Sequence, residues 1–131
     1  MTINFNSSGM DIQYNKYVQI NKADALPEKY LSQISEASET LGNYAKNKKV
    51  TINLIGCEGY KDEPAGVGIS VNKKGVEDAP SKFVTCKEKD TKPFLRRVYE
   101  RVQLLTEGTE PRINKMQQET ISKLKKIGKI K

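Results

Sequence analysis

Leu26, Tyr30, Ile34, Ala37, Leu41 and Tyr44 fall on one narrow stripe when residues are set 100° apart, with Ala45 at its margin. Such a stripe has to be covered by another apolar surface, so it constrains the architecture as well as the local conformation. The spacing predicts a helix from about Pro27 to Lys46, with Pro27 in the first turn, where its missing N–H costs nothing. Gly42 near the end weakens the helix slightly. The outer face mixes Glu28, Lys29, Glu36 and Glu39.

The covering surface is expected to be a sheet. Met10 to Ile20 alternates, with Met10, Ile12 and Tyr14 in phase with Val18 and Ile20, and reads as one half-buried strand. Lys49 to Cys57, Val67 to Val71 and Lys82 to Lys87 are rich in β-branched residues and predict three more strands in an antiparallel meander. The connection CEGYKDEPAG is long for a hairpin and so is a candidate functional loop, while NKKG and VEDAPS read as turn and loop. A second helix follows a cap at Asp90 or Thr91, buries Phe94, Leu95, Val98, Val102 and Leu105 with Tyr99 on the border, and stops before Gly108. A last helix begins at Thr109 or Glu110 and places Ile113, Met116, Leu124 and Ile127 on one face.

The expected order is β-α-β-β-β-α plus an extra C-terminal basic helix. This is an α+β fold whose antiparallel sheet is covered on one face by helices. A chain of 131 residues suits one core. The domain is expected over 10-106, between a flexible N-terminal segment at 1-9 and a basic C-terminal helix and tail at 107-131.

Catalytic chemistry has little to stand on. There is no histidine, so the usual neutral-pH proton shuttle and the commonest zinc ligand are missing. Cys57 and Cys86 are isolated from one another; Cys86, though near Lys87 and Lys89, reads as an inward-facing strand residue. Glu58, Asp62 and Glu63 match no cation-binding loop, and Gly56, Gly59, Gly66 and Gly68 open into no helix that cradles phosphate. The expectation is a non-enzymatic protein with no cofactor, no metal and no small-molecule substrate. No stretch approaches the ~20 apolar residues of a membrane span. With no secretory signal in Met1 to Asn15, a cytoplasmic location is expected.

The charge is unevenly placed. Residues 91–131 hold 11 basic and 4 acidic residues, a net of +7, while residues 1–90 hold 12 of each. A concentrated positive field suits a polyanion. Arg96, Arg97 and Arg101 lie off the apolar stripe of the second helix, and Glu100 is the only acid near enough on that helix to pair with them. With Arg112, Lys115, Lys123, Lys125, Lys126 and Lys129 they form the candidate nucleic-acid-binding set, since guanidinium forks match phosphate.

The stretch KFVTCKEKDTKPFLRRVYERV, together with the element order, resembles the final strand, acidic turn and helix of the ribosome hibernation factors. Glu88 and Asp90 stand before an apolar-basic helix that leads towards a lysine-rich tail. The last five elements are similar in order to double-stranded-RNA-binding domains. The resemblance runs from Met10 to about Leu105 and implies RNA, or the ribosome, as partner. In the hibernation factors both helices lay basic faces against ribosomal RNA, whereas here the first helix is mixed and only Lys29, Lys46, Lys48 and Lys49 stand in. The lysine- and alanine-rich second helix of the double-stranded-RNA-binding domains is not reproduced. The alternative expectation is a protein-protein interaction module, an inhibitor or assembly subunit. In that reading 109-127 offers Ile113, Met116, Ile121, Leu124 and Ile127 to a partner or to its own copy.

Overall fold

The computed structural model describes residues 2–6, 9–74, 80–87 and 92–108. Six strands form one sheet in chain order: β1 (Thr2–Asn6), β2 (Gly9–Gln13), β3 (Val18–Asn21), β4 (Val50–Cys57), β5 (Gly66–Lys73) and β6 (Ser81–Thr85). Helices α1 (Glu28–Lys48) and α2 (Phe94–Glu107) pack on the sheet. The α+β class with helices on one face is as the periodicity predicts. β4 shows the consequence: Val50, Ile52 and Leu54 are buried beneath the helices, while Thr51 and Ile55 on the opposite face are exposed.

Neighbouring strands are antiparallel except β3 and β4, which run parallel with Val18 opposite Ile52 and Asn21 opposite Ile55. α1 is the crossover that such a pair requires. The meander of β4, β5 and β6 is as expected. β6 stops at Thr85 instead of running to Lys87, because the Thr85 hydroxyl donates to the Lys87 carbonyl (3.0 Å) and turns the chain.

Two expectations are corrected. Met10 to Ile20 is not one strand: β2 and β3 form an antiparallel hairpin, Ile12 opposite Ile20 and Gln13 opposite Gln19. Asn15 makes the turn, its Oδ1 accepting from the N–H groups of Tyr17 (2.9 Å) and Val18 (3.0 Å). Ile12, Val18 and Ile20 are all buried, so the reversal preserves the alternation and the pattern hides it. Residues 1–9, expected as a flexible segment, include β1, which pairs with β2 from Thr2 opposite Gln13 to Asn6 opposite Gly9. Order at an edge comes from the neighbour's open N–H and C=O groups, which composition does not register.

Gly42 proves to be a packing requirement. A Cβ at Gly42 would lie 2.7 Å from Asn15 Nδ2, which itself donates to the Ser38 carbonyl (3.0 Å) on α1. The glycine thus lets the β2–β3 turn lie directly against the helix. α1 closes on Lys49 in the left-handed region (φ 58°), and α2 closes on Gly108 (φ 68°), as its position after the stripe predicts.

The core joins Ile20, Ile34, Leu41, Ile52, Ile69, Phe94 and Leu95, all fully buried. Each contributes about 1.5–3 kcal/mol by leaving water. Phe94 meets Tyr30 edge-on, with ring centroids 5.0 Å apart, and so joins the helices. Tyr99, expected on the border, is buried. The Asp90 or Thr91 cap, the VEDAPS loop up to Ala79 and the last helix lie outside the described residues.

Candidate nucleic-acid interface

Arg96, Arg97 and Arg101 all stand on α2, partly exposed. They are not equivalent. Arg97 points its guanidinium into the fold, Nη1 donating to the Thr85 carbonyl (2.9 Å) and Nε to the Lys92 carbonyl (3.3 Å). It fastens the start of α2 to the end of β6, and those donors are lost to phosphate. Arg96 Nε lies 3.3 Å from Glu100 Oε1, an ion pair by distance that lacks hydrogen-bond alignment. Lys92 reaches the same carboxylate at 3.2 Å. Glu100 is buried, so both cations are drawn against the helix. Arg101 makes no ion pair among the described residues. Arg112, Lys115, Lys123, Lys125, Lys126 and Lys129 lie outside those residues, as does the 109-127 interaction segment.

A second basic surface assembles from short lysine groups, Lys46 to Lys49 and Lys73–Lys74, that are separated along the sequence. The register sets Val50 opposite Lys73, which brings Lys49 and Lys74 to one end of the sheet. Val18 pairs with Ile52, and the Ile52 N–H donates to the Tyr17 carbonyl (2.7 Å), so the turn bearing Lys16 and Tyr17 reaches the same end. α1 arrives there too, with Lys46 in its last turn. Lys16, Lys46, Lys49, Lys73 and Lys74 are exposed and make no ion pair among the described residues.

These side chains border two adjoining depressions of about 390 and 410 Å³, which share Tyr17 and Lys46. Among the described residues, Glu39 is the single acid on their rims. Of these residues, Lys46 on α1 and Lys49 at its C-cap are among the four lysines the resemblance implies. Lys16, Tyr17 and the Lys73–Lys74 pair join this surface only through strand pairing, which local sequence does not register.

α2 ends at the same pole. Lys48 lies 2.9 Å from Glu107 Oε1, and the Tyr44 hydroxyl donates to Glu107 Oε2 (2.7 Å). Hydrogen bonds from Lys48 and Tyr44 hold the Glu107 carboxyl below its usual range. Burial, then the hydrogen bond to Glu107, raises the Tyr44 hydroxyl. The chain therefore passes through Gly108 towards its basic C-terminal residues from beside the lysine cluster.

Reactive groups are few. Cys86 is buried, and burial pushes its thiol up to about 11 against a smaller opposing effect of Arg97. A thiol so placed is a poor nucleophile. Loop 57-66 holds its exposed acids Glu58, Asp62 and Glu63 around a Tyr60–Glu63 bridge. Among the described residues no group of three His, Cys, Asp or Glu is placed to hold a metal, and no helix is long and apolar enough to cross a membrane. No protein-family model, curated protein or solved structure matches the chain.

Proposed function

We propose that this protein binds RNA, without catalysing a reaction, through the lysine pole together with the basic residues that follow Gly108. The observation that carries this reading is the meeting of Lys16, Lys46, Lys49, Lys73 and Lys74, from three separate segments, at the end where α2 closes beside Lys48. Beyond Gly108 the chain carries seven basic residues against two acidic ones. Unpaired ammonium groups converging on one surface are electrostatically costly without an anion, and phosphates supply one at regular intervals. Arg101 makes no ion pair among the described residues and supplements the pole in this reading; Arg96 and Arg97 are committed elsewhere. Lysines act as point charges, so recognition follows the backbone more than the base sequence. The unpaired thiols of Cys57 and Cys86 fit the reducing cytoplasm.

The test is filter binding of a labelled RNA across salt. Displacement of counterions by about five lysines gives a slope of roughly −3.5 in log K against log salt, or about a hundredfold loss between 50 and 200 mM. Salt-independent affinity, or no binding at 50 mM, overturns the reading.

A further inference from the structure

Among the described residues, Tyr17 is the one side chain besides Lys46 that lines both depressions, and it is the only aromatic ring in the second. It is held as a fixed mount: its N–H donates to Asn15 Oδ1 (2.9 Å) and its carbonyl accepts from Ile52 (2.7 Å). Asn15 is in turn tied to α1 through Ser38. The ring rests partly on the core, and its hydroxyl has no hydrogen-bond partner among the described residues. Asn43 lines the first depression and Asn72 the second.

Simpler accounts explain part of this. Lys46 in the last turn of α1 complements the helix dipole, and a tyrosine at the core rim keeps its hydroxyl in water. The dipole's influence fades within a turn, however, and Lys16, Lys73 and Lys74 belong to no helix. Neither account gathers Lys46, Lys49, Lys73 and Lys74 on the depression that Tyr17 lines.

We infer that the Tyr17 surface takes single-stranded RNA, with one base stacked on the Tyr17 ring and the neighbouring phosphates held by Lys46 from α1 and by Lys49, Lys73 and Lys74 from the adjoining ends of β4 and β5. This rests on the RNA-binding reading above and sharpens it. A partly exposed ring beside cations suits an unstacked base, which a duplex does not offer, and stacking tolerates any base. Contacts to phosphates and one stacked ring give at most a mild base preference.

The experiment is fluorescence anisotropy on the full chain at 50 mM salt. The probes are a ten-nucleotide oligouridine, an abasic oligomer of the same length, and a duplex of equal phosphate number. Stacking of one base makes the wild-type protein bind oligouridine roughly 5- to 100-fold tighter than the abasic oligomer, and tighter than the duplex. Tyr17→Leu, which retains apolar packing on the core, brings oligouridine down to the abasic level and leaves abasic binding unchanged. Equal wild-type affinity for oligouridine and abasic oligomer overturns the inference, whether or not the variant folds, and if that binding is salt-dependent the RNA-binding reading survives. Preference for the duplex overturns it also. Absence of binding to all three removes both readings.

Discussion

Arg97 and Lys46 carry the same formal charge and stand in opposite circumstances. At the arginine face of α2, Arg97 donates to the Thr85 and Lys92 carbonyls, and Arg96 and Lys92 share the buried Glu100. At the lysine pole, Lys16, Lys46, Lys49, Lys73 and Lys74 extend into solvent with no ion pair among the described residues. The sequence favours the arginines, since they are adjacent and guanidinium suits phosphate. The same planar fork also suits backbone carbonyls, and inside a fold those are nearer. Charge that stabilises the fold and charge that remains available to a partner are thus separated in space.

The widest split between the regions comes from charge reversal at the pole. Lys16→Glu, Lys73→Glu and Lys74→Glu together, none of them on a helix, are expected to lower RNA affinity at least a hundredfold at 50 mM salt while moving the melting temperature by no more than about 2 °C, as fits exposed sites. A comparable loss of stability would mean that these lysines serve the fold.

Arg97→Ala reverses the pattern. Loss of a charged donor to two carbonyls costs about 1–3 kcal/mol in denaturant unfolding, with RNA affinity measured well below the melting temperature changed by no more than about twofold. Cys86, buried beside this face, gives a second readout. Its thiol should resist alkylation at pH 8 while the partly exposed Cys57 reacts, and Arg97→Ala should speed Cys86 labelling. A large loss of RNA affinity in a folded Arg97→Ala protein would return that arginine to the interface.

Asn15→Ala joins the two kinds of effect in one place. Removing the two turn hydrogen bonds and the tie to Ser38 is expected to cost about 1–2 kcal/mol and, by loosening the mount of Lys16 and Tyr17, to weaken RNA binding several-fold. Stability loss with full affinity would show that the mount is dispensable.

The smallest effect belongs to the pair that joins the regions. Glu107 has its folded pKa lowered by Lys48 and Tyr44, so its contribution is complete above the unfolded value of about 4.3 and is lost as pH falls through the lowered folded one. The site is largely solvated, so Glu107→Gln is expected to flatten stability below about pH 5 by only a few tenths of a kcal/mol. An unchanged acid profile would show that the pair contributes nothing.

Much of the fold was legible. The stripe from Leu26 to Tyr44 defined α1 and its buried face, and Gly108 marked the end of α2. The hairpin between β2 and β3 was not, because Ile12 and Ile20 keep the same phase on either side of Asn15. Nor was β1, whose order depends on the open edge of β2. Of the basic residues singled out by charge, Arg96 and Arg97 did lie outside the apolar stripe. Which carbonyl or carboxylate each would meet depends on β6 and the chain before α2, and helical spacing says nothing of that.

By itself the sequence determined the helices, most of the strands, the covered face of the sheet, the absence of histidine chemistry and the excess of positive charge. Periodicity and composition are local, and side-chain burial follows from them. Tertiary structure alone decided which charges are free. Lys16, Lys49 and Lys74 are far apart along the chain and become neighbours only because β3 pairs parallel with β4 and β4 antiparallel with β5. Electrostatic potential depends on distance in space, and strand register is what sets that distance.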